Sequence, residues 1–175
     1  MKKRCSKNKK AVSDLIAAIL LILIAMAAGA MVYGIVIPLI KGNIASAQAC
    51  SDAGLEIATD EGLTCYTGSE AQIEIKRSEK DVNLSGIQLQ VFGAGKSKAV
   101  VVNASINSAV KEYKQASYGA IALTLPDKNE ARTYVINLAS AGITSPSSVA
   151  AAPIVRVGSS DKLCDVSASS AISGC

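Results

Sequence analysis

The sequence has no histidine, no tryptophan and a single phenylalanine among its 175 residues. Without histidine the commonest general acid or base of enzymes is missing, and we find no Gly-rich phosphate loop, nucleophile elbow or cluster of carboxylates. So few aromatic side chains offer little surface on which nucleic-acid bases could stack. These absences argue against an enzyme and against a nucleic-acid-binding protein, and nothing in the sequence indicates a cofactor.

A zinc site is also disfavoured, because the five cysteines include no CxxC pair and there is no histidine to complete a ligand set. The net charge of +4 does not indicate a nucleic-acid partner either. Six of the 18 Lys and Arg residues lie in the first ten positions, and the rest of the chain has 12 against 14 Asp and Glu. The basic character therefore belongs to the N-terminal segment alone.

A long uncharged run follows this basic segment. Leu15 to Ile40 is a stretch of 26 residues without a charge, 14 of them Leu, Ile or Val. As a helix it would reach roughly 39 Å, more than the bilayer's hydrocarbon core of about 30 Å. Because the cations precede the run and only Lys41 follows it closely, the positive-inside rule predicts a cytoplasmic N-terminus and an external remainder.

Three interpretations of this start compete. A secretory signal has an apolar core of about 7 to 15 residues, so the run is too long for one. A permanent membrane anchor fits the length and the charge bias. The third interpretation rests on the stretch KKAVSDLIAAILLILIAMAAG, which resembles the class III signal peptide of archaeal type IV pilins and archaellins over roughly residues 9 to 34.

The resemblance implies that a prepilin peptidase cuts on the cytoplasmic side and leaves the helix on the mature protein. Lys10 and Ala11 match the residues before the cut, and Val12 and Ser13 match those after it. The chain would then comprise a leader, 1–11, a membrane and filament-core helix, 12–49, and an extracellular domain, 50–175. Its implied partners are copies of itself in a homopolymer, the membrane before assembly, the peptidase, and a pilus assembly ATPase with its membrane platform protein.

Two departures from the family pattern bear on function. Many archaeal pilins have proline where this chain has Asp14, and the glycine that precedes the cut in archaellins is here Ala11. The second departure favours an adhesive pilus over a swimming filament, with the archaellin interpretation still open. Asp14 could pair with the α-amine created at Val12, since an unpaired charge in a helical core is costly. Alternatively Asp14, or Ser13, caps the start of the helix.

The apolar helix also carries small residues at helical spacing. Ala25 with Gly29, and Ala30 with Gly34, form small-xxx-small pairs of the kind that let helices approach closely. A mixture of Ala and Gly with Leu and Ile on all sides suits a helix surrounded by identical neighbours. One contact repeated without ring closure would then build a helical fibre.

Beyond the apolar run the pattern changes. Pro38 should kink or end the helix, and NIASAQA could extend it to about Cys50. Period-two alternation then predicts about eight short strands: LEIAT, LTCYT, QIEIK, GIQLQVF, KAVVVN, AIALTL, RTYVINL and PIVRV. NSAVKEYKQASYG is ambiguous between a short helix and a polar loop, and GITSPSSVAA is predicted to be an irregular surface connection. The fold class is therefore α+β: a long hydrophobic helix followed by a mainly antiparallel, immunoglobulin-like β-sandwich.

The external domain should be oxidised and is open to glycosylation. Its four cysteines form an even set, so we expect two disulfides, and the spacing weakly favours Cys50 with Cys65 and Cys164 with Cys175 among three connectivities. Two N-x-S/T sequons make Asn83 and Asn103 candidate glycosylation sites.

Overall fold

The computed structural model describes residues 7–60 and 62–175, with the side chains of the first helix described from Leu15 onward. Helix α1 spans Lys7–Met31, a π-helical segment spans Val32–Val36, and helix α2 spans Ile37–Asp52. The chain divides into two compact units, of which the first ends at Ile44 and the second is Ala45–Cys175.

The helix continues past Pro38, so the expectation that it could end there is wrong, and its predicted extension to about Cys50 is confirmed by an end at Asp52. Proline has no backbone N–H, and its ring clashes with the carbonyl four residues earlier in an α-helix. The π-helical segment lies directly before it, and the Ile37 N–H donates to the Val32 carbonyl, five residues back. This wider π-helical turn replaces the bond to the carbonyl four residues back with one to the carbonyl five residues back, next to the proline that cannot make the α-helical bond.

Among the described residues, eleven strands form two sheets. The first sheet contains β1 (Leu55–Ala58), β2 (Cys65–Thr67), β3 (Glu70–Arg77), β6 (Val110–Glu112), β7 (Ala131–Asn137) and β11 (Ser173–Gly174). Its order is β11-β2-β3-β7-β6, with β1 also paired to β3. The second sheet, of order β10-β8-β4-β5 with β9 paired to β8, contains β4 (Leu84–Gly93), β5 (Lys96–Val102), β8 (Ser148–Val157), β9 (Ser160–Leu163) and β10 (Ala168–Ala171).

Alternating apolar residues from both sheets form the core. Ile73 and Ile75 of β3 belong to the same buried cluster as Ile87, Leu89 and Val91 of β4. The strand pairs are antiparallel except β11 with β2, which is parallel. The predicted α+β fold, a long N-terminal helix followed by a mainly antiparallel β-sandwich, is confirmed.

Three local predictions were wrong or incomplete. AIALTL, residues 120–125, is not a strand: the Leu123 N–H donates to the Ser105 carbonyl of another loop, and the Thr124 N–H donates to the Glu112 carboxylate. NSAVKEYKQASYG is neither helix nor simple loop, since it contains β6. GITSPSSVAA is only partly irregular, because its last four residues begin β8. Alanines on both faces of β8 hide the period-two signal there.

Candidate functional site

The apolar helix is the most distinctive chemical feature of the chain. Leu15–Asp52 is a helix of 38 residues that contains an 18-residue window with a mean hydropathy of 2.9, long and apolar enough to be a membrane anchor or a signal near the N-terminus. Its large side chains are exposed on all sides; Leu21 is 69% exposed and Tyr33 is 76% exposed. A contiguous apolar surface of this size requires a lipid or protein environment.

The predicted packing residues lie on this uncovered surface. A Cβ atom added at Gly29 or Gly34 would meet no atom within 4 Å outside the local helix backbone. Ala25 and Gly29 lie wholly in α-helical backbone, whereas Gly34 lies in the π-helical segment. The positions are therefore open to a second helix, and their role in packing remains a prediction.

The predicted processing residues Lys10, Ala11 and Val12 have helical backbone, because α1 begins at Lys7. In the uncleaved chain a helix start at Ser13 or Asp14 therefore does not exist; it would arise only after removal of the leader. The side chains of these five residues lie outside the part that the structure describes. Both roles of Asp14 remain predictions.

The last two turns of α2 are anchored to the β domain within the second unit. Ala49, Cys50 and Ala53 pack against Val155 and Cys164 in a small apolar cluster. The sulfur atoms of Cys50 and Cys164 form a disulfide, which ties the end of the helix to the chain just after β9.

Polar contacts complete this anchor. Lys80 Nζ lies 2.6 Å from Asp52 Oδ1, where its charge also complements the negative end of the helix dipole. Ser78 Oγ donates to the Asp52 carbonyl at 3.3 Å, and the Ser78 N–H donates to the Gly54 carbonyl at 3.0 Å. Sequence reasoning missed Asp52, Ser78 and Lys80, since no spacing signal connects them.

Cys50, Cys65, Cys164 and Cys175 form two disulfides as predicted, but the preferred pairing is wrong. Cys50 pairs with Cys164 and Cys65 pairs with Cys175, across sequence separations of 114 and 110 residues. The parallel pairing of β11 with β2 brings the C-terminal residue beside Cys65. Because all four sulfurs are bonded, none of them is a thiolate that could bind zinc.

The two sequons lie at the same end of the second sheet. Asn83 is exposed and directly precedes β4, and Asn103 is half-buried and directly follows β5, which is antiparallel to β4. Ser105 Oγ donates to Asn103 Oδ1. Both side chains are at the surface, and their glycosylation remains a prediction.

Charged networks tie the long β6–β7 connection to the first sheet. Tyr118 donates its hydroxyl hydrogen to Glu70 at 2.7 Å, and burial together with this bond raises the pKa of Tyr118. Near the start of β7, the Asp127 N–H donates to Glu130 at 2.7 Å, and Arg132 pairs with the same carboxylate at 2.9 Å. The Asp127 N–H holds the pKa of Glu130 below its ordinary value; burial opposes this effect, and the Arg132 guanidinium lowers the pKa further. These contacts hold the β6–β7 connection against the first sheet.

A cavity of about 330 Å³ at the β4–β5 hairpin is lined by Phe92, Lys96 and Ser147 among others. Phe92 pairs with Ser97, and the next pair in the ladder is Gly93 with Lys96. Successive pairs face opposite sides of a sheet. The register therefore directs the side chains of Phe92 and Lys96 to opposite sides of the hairpin, and we assign no function to this cavity.

No protein-family model and no curated protein matches this sequence. The functional argument therefore depends on the N-terminal residues and on the order along the chain of an apolar helix and a β domain.

Proposed function

We propose that this protein is a structural subunit of an archaeal type IV pilus-like surface filament, cleaved by a prepilin peptidase and used for adhesion. The observation that carries the proposal is an apolar helix, exposed on all sides, that precedes a separately folded, disulfide-bonded β domain. The chain acts as a building block and not as an enzyme.

Two environments would cover this helix in turn. Before assembly the helix spans the membrane with the N-terminus in the cytoplasm, and its 14 Leu, Ile and Val residues favour insertion by roughly 4 to 8 kcal/mol. Extraction into a filament is then possible only if neighbouring helices bury the same surface. The assembly ATPase and platform protein would drive that transfer, and the β domains would form the outside of the filament.

A strain of the native host that lacks the prepilin peptidase tests this proposal against a permanent anchor. We expect the parent strain to display filaments that contain this chain, seen by electron microscopy and immunolabelling. The peptidase-deficient strain should retain the uncleaved chain in its membrane and display none. A chain of identical mass and location in both strains would refute the proposal and support an anchored domain that does not polymerise.

A further inference from the structure

Most of the outer surface of the second sheet carries no charge; Arg156 of β8 and Asp161 of β9 lie on the same side at the β9 edge, where they form an ion pair at 2.9 Å. Buried Ile87, Leu89 and Val91 face the core, so the alternate residues of β4 face outward. The ladder register places the odd-numbered residues 97–101 of β5, the even-numbered residues 148–154 of β8, and Ser169 and Ala171 of β10 on the same side as residues 88, 90 and 92. We call this set the neutral face; it contains no Asp, Glu, Lys or Arg.

The first sheet has the opposite character. Its outward positions include Glu56, Glu70, Lys76 and Lys111, placed there by the registers of β1, β3, β6 and β7. The solvated side of an antiparallel sheet is ordinarily polar, as it is here. The absence of charge from the neutral face is therefore a property of one surface and not of the whole domain.

The neutral face is also rich in small side chains. Alanine and serine are common on it, and Ala150 and Ala152 are buried at its centre between the neighbouring strands. Small side chains allow another protein surface to approach closely, and protein interfaces are depleted of Lys, Glu and Asp at their centres. A face of this composition can be covered without the cost of desolvating a charged group.

We propose that in the assembled filament the neutral face is covered by the β domain of a second copy of this chain. This inference rests on the proposed function. Four strands about 4.8 Å apart and up to seven residues long span roughly 14 by 20 Å, or about 300 Å². A standard interface buries about 800 Å² per partner. The contact is too small to hold two free domains together, but it becomes effective once apolar helices hold many copies side by side.

One pair of matched substitutions tests this inference. Gln90→Glu adds a charge to the neutral face, and Gln72→Glu makes the same near-isosteric change on the outward side of β3; both side chains are half-buried. In the native host, Gln90→Glu should lower filament yield about tenfold or more, because the contact would now desolvate a carboxylate. Gln72→Glu should leave the yield near the wild-type level, and both variants should show normal leader cleavage. Equal yields from the two variants would overturn the inference.

Oxidation by hydroxyl radicals supplies a second readout on the wild-type chain. Phe92, on the neutral face, should be protected in filaments relative to the same chain dispersed in detergent, while Tyr113, which is 41% exposed beside the first sheet, provides the comparison. Filaments in which Phe92 is as reactive as in detergent would overturn this inference alone. A wild-type chain that forms no filaments would refute the proposed function and this inference with it.

Discussion

Removal of the Cys50–Cys164 disulfide should release the last two turns of α2 from the β domain, whereas removal of Cys65–Cys175 should not. Only the first bond joins the helix end, Ala45–Asp52, to the sandwich. Without it, that segment keeps the ion pair of Asp52 with Lys80, two hydrogen bonds of Ser78 and a small apolar cluster. An exposed ion pair contributes at most about 1 kcal/mol, so local opening should become frequent.

The two disulfides provide an unusually well-matched control. They close loops with sequence separations of 114 and 110 residues. In the chain-entropy model each disulfide raises the free energy of the unfolded state by about 4.8 kcal/mol, and the difference in loop length changes this value by only about 0.03 kcal/mol. Cys50→Ser/Cys164→Ser and Cys65→Ser/Cys175→Ser should therefore lower global stability by similar amounts. Any difference in local protection then reflects where each bond lies.

Hydrogen exchange with mass spectrometry on the full chain in detergent measures both effects. Near 15 °C, where stability is close to its maximum, both variants should remain folded. Peptides covering residues 45–54 should lose protection in the Cys50→Ser/Cys164→Ser variant only. Equal protection of these peptides in the two variants would refute the reasoning, because the helix end would then be held by contacts other than the disulfide.

Three further predictions concern other parts of the chain. If Asp14 pairs with a new amine at Val12, the Asp14→Asn chain should be inserted and cleaved normally yet form few filaments, since an unpaired buried charge costs about 3 to 5 kcal/mol. If Asp14 only caps the helix, Asn should substitute well. Wild-type filament counts in this variant would refute the pairing hypothesis. Residues 45–175 expressed in an oxidising compartment should be soluble, monomeric on a sizing column and free of titratable thiols; reactive thiols in the folded domain would contradict the disulfides. The pKa of Glu130 lies below its ordinary value of 4.5, so its contribution to stability is present above that pH and is lost as pH falls through the lowered folded value. Glu130→Gln should therefore flatten the decrease in melting temperature as pH falls below 4.5. An unchanged slope would contradict the assignment.

The helix and most strands could be predicted because local patterns determine them. Leu15 to Ile40 has no charge, and strands such as β3 and β7 contribute every second residue to the core, as Ile73 and Ile75 or Tyr134 and Ile136 do. AIALTL alternates equally well but is not a strand, since its backbone groups bond to a loop and to the Glu112 side chain. An alternating pattern identifies residues that can form a strand, and the available partners decide whether they do.

The candidate site could be predicted from the sequence only for features that depend on residues close together in the chain. The four cysteines that follow the apolar run were expected to form disulfides from their number and predicted topology, but their pairing depends on β11 lying beside β2 and on α2 ending near β9. Contacts over more than 100 residues leave no trace in spacing. The neutral face was likewise invisible, because it becomes a surface only when the register of four strands is known.

The mature N-terminus of the chain tests the central claim most directly. Intact-mass analysis of the protein isolated from its native host should give the mass of a polypeptide that begins at Val12 and retains the apolar helix through to Cys175, with two disulfides. A chain that still carries residues 2–11, or one that begins after Ile40, would contradict the account of a cleaved filament subunit.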